Sequence, residues 1–358
     1  MRIAFDVSPL SHERTGVNNY IRGSLAGLGE VAGERGHDVV AFAPTSFAGR
    51  RAIAEAVAGI DVELRLIPLP GAHVWRTAWS ALGHPPAERW LGTVDVLHFS
   101  DWMYPPQRSG VRATTVHDLV PLHHPEWTTG RTQSMHRRKY LNAAGTCDVI
   151  FANSSFTAAD VAATLSFPRD RVIVAHPGIG EHFHTDGAKA DLGKPYVLTV
   201  ATLEPRKNLD TLVDAFELLA GEGLLLAVAG GRGWGPEPKL DRPDVVRLGR
   251  IDDDELARLY RGAAAVVYPS RFEGFGMPVT EAMACGAPVV ASAHPSLDEA
   301  SGDAALRADP ESPAAIAASI REAIGRRDEL VARGLAHARS FSWRRVGETF
   351  LAGYERFA

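Results

Sequence analysis

The sequence predicts an α/β protein made of two domains, each with a parallel sheet covered on both faces. Short apolar runs alternate with longer stretches of helical periodicity along the whole chain. A Gly-, Pro- and polar-rich break at 176–195, HPGIGEHFHTDGAKADLGKP, divides that alternation into two blocks. The 358 residues are also more than one core comfortably organises, and suit two.

In the first block the apolar runs at 3–7, 39–43, 62–67, 94–99, 113–116, 149–152 and 172–175 read as buried parallel strands. Between them, helices are expected at 17–35, 75–91, 131–146 and 154–165. The second block restarts with strands at 196–200, 224–229, 245–248, 264–268 and 289–291. Its helices are expected at 208–219, 253–261, 277–285, 313–326 and 329–339. A last helix, from Ser342-Trp343 to Phe357, carries apolar residues at Val346, Phe350, Leu351 and Tyr354. The expected domains are therefore 1–180 and 181–341, followed by a terminal helix at 342–358.

A formal net charge of -5 provides no global field for nucleic acid. The two cysteines, Cys147 and Cys285, fall in different expected domains, so a reduced, cytoplasmic setting and buried inert thiols are expected. The chain opens directly on a strand, MRIAFDV, with no signal-peptide pattern expected. No apolar run approaches a membrane span.

Ligands of parallel α/β sheets bind outside the carboxyl ends of the strands, so the strand exits carry the chemistry. The richest is Ser270–Val290, SRFEGFGMPVTEAMACGAPVV. Glu273 lies on the loop after a buried strand, Gly274-Phe275-Gly276 makes an elbow, and Pro278 suits a first helical turn. Glu281 follows on the helix, which Gly286 can end. The amides of Phe275, Gly276 and Met277 suit an anion, and the two carboxylates suit hydroxyls. A nucleotide sugar offers both. A solvated Glu at each end of a capped helix is the alternative for an isolated pair.

EGFGMPVTEAMACGAPVV resembles the E-x7-E motif of family 4 glycosyltransferases. These are retaining enzymes of the GT-B type, with two Rossmann-like domains facing each other across a cleft. The resemblance implies that Glu273 approaches the donor sugar and Glu281 binds the nucleotide ribose. It extends over nearly the whole chain and implies that 1–180 binds the acceptor, that 181–341 binds the nucleotide sugar, and that the terminal helix at 342–358 crosses back to the first domain. ATLEPRKNL resembles the family's G-x-x-x-x-x-K-N motif, which gives Arg206 and Lys207 the leaving phosphates; Ala201 stands where Gly is usual. A fork donor and a point charge before a helix suit that task. TGVNNYIRGSL resembles the loop over the donor diphosphate and assigns Gly16 and Val17 there, with Asn18-Asn19 replacing the usual Gly-Arg. A plain Gly turn before a helix is the other reading of that loop. VHDLVPLHHPEW resembles a segment whose His, here His117, lies near the donor sugar and faces the acceptor. Asp118 either orients His117 or caps the turn.

After the next two strands, Gly230 and the glycines following it allow close approach to a base or ribose, or make a loop tip. Arg250 and Ile251 are implied to lie by the base. Asp252-Asp253-Asp254-Glu255 imitates a metal-binding DxD, yet sits where acids cap a helix, and no metal ligand set is expected. His123, His124 and Glu126 read as loop surface. Trp102 and Tyr104, at a strand exit, are acceptor candidates, whereas Trp75 and Trp79 read as core. Arg131, Arg137, Arg138 and Lys139 read as a solvated basic face, with peripheral contact to an anionic membrane as the minority reading.

The expected activity is transfer of a hexose from a nucleoside-diphosphate sugar to a glycan, glycolipid or small-molecule acceptor. GDP-mannose is the first donor expected and a UDP-sugar the second, because the sequence most resembles bacterial mannosyltransferases. His117, Arg206, Lys207 and Glu273 would be the catalytic group, with no cofactor beyond the donor. A dinucleotide oxidoreductase would need G-x-G-x-x-G after the first strand, which the Gly16 region lacks. A non-hydrolysing sugar-nucleotide epimerase, a phosphorylase and an inactive nucleotide-sugar-binding protein are the remaining alternatives.

Overall fold

The computed structural model describes residues 1–12, 15–69, 71–100 and 103–358, without the side chain of His73. The chain divides into two units. The first comprises Met1–His123, Gly130–Gly178 and Ser342–Ala358; the second comprises His124–Thr129 and Ile179–Phe341. The boundary expected at 180 thus falls at Gly178/Ile179, and a short piece of the first sequence block belongs to the second unit.

The first unit carries β1 (Arg2–Asp6), β2 (Asp38–Thr45), β3 (Glu63–Pro68), β4 (Val96–Phe99), β5 (Val111–Val116), β6 (Val149–Ala152) and β7 (Val172–Val174). They form one parallel sheet in the order β3-β2-β1-β4-β5-β6-β7. Ile3 pairs with Val39 on one side and Val96 on the other, which places β1 at the switch in strand order. The second unit carries β8 (Tyr196–Val200), β9 (Leu225–Ala229), β10 (Val245–Gly249), β11 (Ala265–Tyr268), β12 (Val289–Ser292) and β13 (Leu306–Ala308). These are also parallel, in the order β10-β9-β8-β11-β12-β13. Here the switch lies between β8 and β11, so the exits of those two strands open side by side.

Three departures from the expected elements have local causes. The helix expected at 75–91 is two, Ala72–Leu82 and Glu88–Leu91, because Gly83 takes a left-handed φ of 64° and His84-Pro85-Pro86 follows. Trp79 and Trp90 still meet edge to face, with centroids 5.1 Å apart. Trp79 is core, but Trp75 is 44% exposed, which corrects its reading. A helix at Phe47–Ala56 and the strand β13 were not expected, since the first buries only Gly49 and Ile53, and the second is three residues with an Arg at its centre.

The terminal helix Trp343–Phe357 joins the first unit. Val346, Phe350, Leu351 and Tyr354 are all buried, and the helix lies along Gly16–Glu34. The two backbones touch through glycines: a Cβ on Gly27 would stand 1.9 Å from the Trp343 carbonyl oxygen, and one on Gly347 would stand 2.1 Å from that of Gly27. Tyr354 reaches the sheet, its hydroxyl 2.6 Å from His98 Nδ1. Both cysteines are buried, and burial pushes each thiol up to about 12. Among the described residues no helix is long and apolar enough to cross a membrane.

The glycine contact makes a testable demand. Gly27→Ala should destabilise the first unit by about 2 kcal/mol, the usual effect of overpacking a tight contact, read as a lower denaturation midpoint. An unchanged midpoint would show that the two helices do not approach this closely.

Candidate active site

At the exit of β8 the chain runs through Glu204 into a single 3-10 turn, Pro205–Lys207. Asn208 then takes a left-handed φ of 59°, a conformation Asn tolerates better than most residues. Its side-chain amide holds it there by donating to the carbonyls of Pro269 (3.1 Å) and Pro310 (2.7 Å). That turn aims Arg206 and Lys207 at the neighbouring exit, where β11 ends at Tyr268 and the loop to Glu273 begins.

The groups converge on one carboxylate. Lys207 Nζ lies 2.5 Å from Glu273 Oε1, and Arg206 donates to Oε2 at 2.8 Å. Ser270 Oγ (2.6 Å) and the Tyr268 hydroxyl (3.0 Å) also donate to Oε1. Lys207 donates to Tyr268 as well (2.8 Å), while Arg206 Nε stands 2.8 Å from Glu204 Oε1. The backbone is pinned too: Arg206 donates to the Phe272 carbonyl (3.1 Å), and the Glu273 amide donates to Ser296 Oγ (3.0 Å). Two cations and two carboxylates are therefore balanced in a site where Glu273 is only 6% exposed.

Burial alone would raise the Glu273 carboxyl, but Arg206 and then Lys207 outweigh it and hold it at about 2. Burial, followed by the charge of Arg206, lowers Lys207. Burial, followed by the charge of Glu273, raises the Tyr268 phenol, which therefore stays a donor. The arrangement keeps a carboxylate charged without bulk water and places two cations at its rim.

The Gly elbow serves packing. Gly276 has φ 99° ahead of the helix Met277–Ala284, and a Cβ there would stand 2.4 Å from Leu297 Cδ2. The Phe275 ring is buried against Phe341, with centroids 5.3 Å apart, so only its backbone is left for a ligand role; Gly274 is also buried. Glu281 is buried on the helix and accepts from Tyr260 (3.2 Å). Gly230, with φ 149°, is required by the protein itself, since a Cβ would stand 1.9 Å from the Ala201 carbonyl oxygen. The Arg250 guanidinium lies over Gly231, 3.1 Å from where a Cβ would be. Ile251 packs on the apolar core of the unit. Asp252 accepts from the Glu255 amide (2.8 Å), the helix cap expected of that acidic run.

In the first unit His117 follows β5 and meets the Tyr20 ring edge to face at 4.9 Å. Gly16 and Val17 open the helix Gly16–Glu34, and a Cβ on Gly16 would meet nothing within 4 Å. His117 borders a small recess with Asp6, Tyr20, His98, Ser100 and Thr115. Asp118 caps the turn by accepting from the Val120 amide (3.0 Å). Lys139 corrects the basic-face reading: it is fully buried and donates to the Thr115 carbonyl at 2.8 Å. His123 pairs with Asp160 (2.8 Å) and His124 with Glu126 (3.1 Å). Tyr104 packs on the core, and Trp102 lies outside the described residues. Among the described residues no group of three or more His, Cys, Asp or Glu could hold a metal ion.

Sequence reasoning missed Glu204, Tyr268, Ser270, Ser296 and Tyr260. Their proximity to the site follows from strand order, and the only linear signal is that Glu204 precedes Pro205-Arg206 and Ser270 precedes Glu273 by three positions.

The comparisons with known proteins agree with this architecture. The model of the Glycosyltransferase Family 4 matches residues 15–183, and that of Glycosyl transferases group 1 matches residues 183–334. The O-antigen chain mannosyltransferase B of Escherichia coli is 32% identical over 73% of this chain and 74% of its own. Among solved structures, sucrose-phosphate synthase from Thermosynechococcus elongatus superposes with a TM-score of 0.72 at 19% identity, covering 99% of this chain and 98% of that one. HepE from Anabaena, in complex with UDP and glucose, has a TM-score of 0.68 at 15% identity, covering 99% and 100%. The paired parallel sheets are the GT-B fold, and the two family models divide the chain from residue 15 to residue 334 between them. This protein therefore belongs to the family 4 glycosyltransferases, among those similar to bacterial mannosyltransferases.

Proposed function

We propose that this transferase moves a hexose, with retention, from a nucleoside-diphosphate sugar to a glycan or glycolipid acceptor. GDP-mannose is the first donor and a UDP-sugar the second; a mannosyltransferase relative favours the first, and a fold neighbour holding UDP the second. The observation that carries the reading is the convergence of Arg206 and Lys207 on the buried carboxylate of Glu273. A leaving diphosphate gains charge as the glycosidic bond breaks, and preorganised cations lower that barrier more than any other single group. Arg206 and Lys207 take the diphosphate, helped by backbone amides of the Gly274–Gly276 elbow. Glu273, released from part of its pairing, accepts hydroxyls of the sugar. Glu281 takes the ribose, Arg250 and Ile251 flank the base with Gly230, Gly16 and Val17 approach the diphosphate, and His117 faces the acceptor.

Retention follows from the family resemblance. A front-face route fits it, in which the departing phosphate oxygen takes the acceptor proton as the new bond forms. The positive charge a metal would bring to the phosphates is supplied here by two side chains, while in the acidic run Asp252 caps a helix, Asp254 pairs with His182 and Glu255 with Arg258.

Lys207→Ala should lower kcat by about a hundredfold or more, the scale of losing one electrostatic partner of the transition state, with a small change in donor KM. Equal loss in both parameters would move Lys207 to ground-state binding. Glu281→Ala should raise donor KM about tenfold or more, as expected when a hydrogen bond to a charged group is lost; an unchanged donor KM would remove Glu281 from the ribose. Activity should survive EDTA, and loss that magnesium or manganese restores would show that a divalent ion carries the phosphates.

A further inference from the structure

Beside the ion-paired site, the second unit carries a run of ring side chains that the proposed chemistry does not use, exposed at Trp234, half-buried at Trp127 and His124, and buried at Phe272. Trp234, in the loop after β9, is 44% exposed. Its indole N–H donates to the Trp127 carbonyl, so the polar edge of the ring is engaged. Trp127 is stacked on His124, with centroids 3.9 Å apart and planes at 15°. His124 meets Phe272 (5.6 Å), and Phe272 meets His294 (5.3 Å). Phe272 immediately precedes Glu273, and its carbonyl accepts from Arg206, so the wall ends at the ion-paired site.

The loop that presents Trp234 is held firmly. A Cβ on Gly233 would stand 2.4 Å from the Leu203 carbonyl oxygen, and one on Gly235 would stand 2.8 Å from Pro205 Cγ. The loop is thus seated on the segment that leads into Arg206. The rim is polar and charged: Glu126 is exposed beside His124, and Arg232 pairs with Glu237 (3.4 Å) next to Trp234. An indole with its N–H engaged offers an apolar ring face, and carboxylate and guanidinium at the edge offer hydrogen bonds. The apolar C–H face and ring of hydroxyls of a pyranose match that combination.

We propose that Trp234, Trp127 and the His124–Phe272 pair form a subsite for a pyranose ring of the acceptor glycan. The inference rests on the glycosyltransferase reading above and deepens it, because the acceptor then contains a sugar. The nucleobase is the other flat ligand available. Arg250 lies over Gly231 at the start of the same loop, but the rings run on from Trp234 through Trp127 and His124 to Phe272, the residue before Glu273, which favours a sugar over the base.

Saturation-transfer NMR on the full chain with GDP tests this, using methyl α-mannopyranoside and an α-linked mannobiose as probes, alongside acceptor kinetics with GDP-mannose. Wild type and Trp234→Phe should show transfer to the pyranose C–H protons. Trp234→Ala should lose it and raise acceptor KM about tenfold, the scale of one aromatic contact, with GDP affinity and thermal midpoint unchanged. No transfer to either probe in wild type, or wild-type behaviour in Trp234→Ala, overturns the subsite. A fall in GDP affinity in Trp234→Ala would place the ring under the nucleobase and also overturn it. The broader reading fails separately, in a wild-type chain that binds neither GDP nor UDP and turns over neither GDP-mannose nor UDP-glucose.

Discussion

The structure of the second unit depends on keeping one buried carboxylate charged. Glu273 is shielded from water, and its acid form would be the cheaper one without Arg206 and Lys207. With them, its pKa falls from the ordinary 4.5 to about 2, a shift equivalent to about 3 kcal/mol. A depressed carboxyl contributes stability that is fully present above 4.5 and is lost as pH falls through about 2. Losing one partner of such a pair leaves a buried charge uncompensated, which typically costs several kcal/mol. Packing serves the same end: Asn208 is held in its left-handed turn by two carbonyls, and the Glu273 amide is held by Ser296.

On the proposed reading, this charge balance is also what makes the site responsive. Arg206 and Lys207 are matched by Glu204 and Glu273, so the four side chains together carry no excess of either sign. A diphosphate adds negative charge, and the cations must be shared between phosphate and carboxylate. The donors most easily shared belong to Arg206, whose fork already spans Glu204, Glu273 and a carbonyl. Binding would therefore loosen Glu273 at the moment a sugar hydroxyl arrives to use it.

Much of this was legible in the sequence because parallel strands buried on both faces announce themselves as apolar runs. That 206–207 and 273 each stand at a strand exit was readable from the apolar runs, whereas their meeting at one site was implied by the family motifs and not by the strands themselves. Tyr268 and Ser296 were not readable, because nothing linear says that β11 and β8 are neighbours or that the loop after β12 returns to Glu273. Lys139 was misread for a related reason. It stands in a run of cations on a strongly polar helix, yet it alone of RRK turns inward, to donate to the Thr115 carbonyl of β5. Helical spacing indicates a face, but the neighbour beneath that face decides whether a charge is welcome there.

The glycines carry a more general warning. In a nucleotide-binding motif they are usually read as room for a ligand. Gly230 lacks a side chain because the Ala201 carbonyl occupies the space, and Gly276 because Leu297 does. Gly27 and Gly347 play the same part in the first unit, where two helices touch backbone to backbone. Gly16 differs: its backbone is ordinary, and a side chain would meet no neighbour. A glycine the protein itself requires says little about ligands, whereas one it does not require is where a ligand's approach remains a physical reason for the choice. By that criterion Gly16 carries more weight for the donor diphosphate than Gly230 does for the base, although the motif around it departs further from the family pattern.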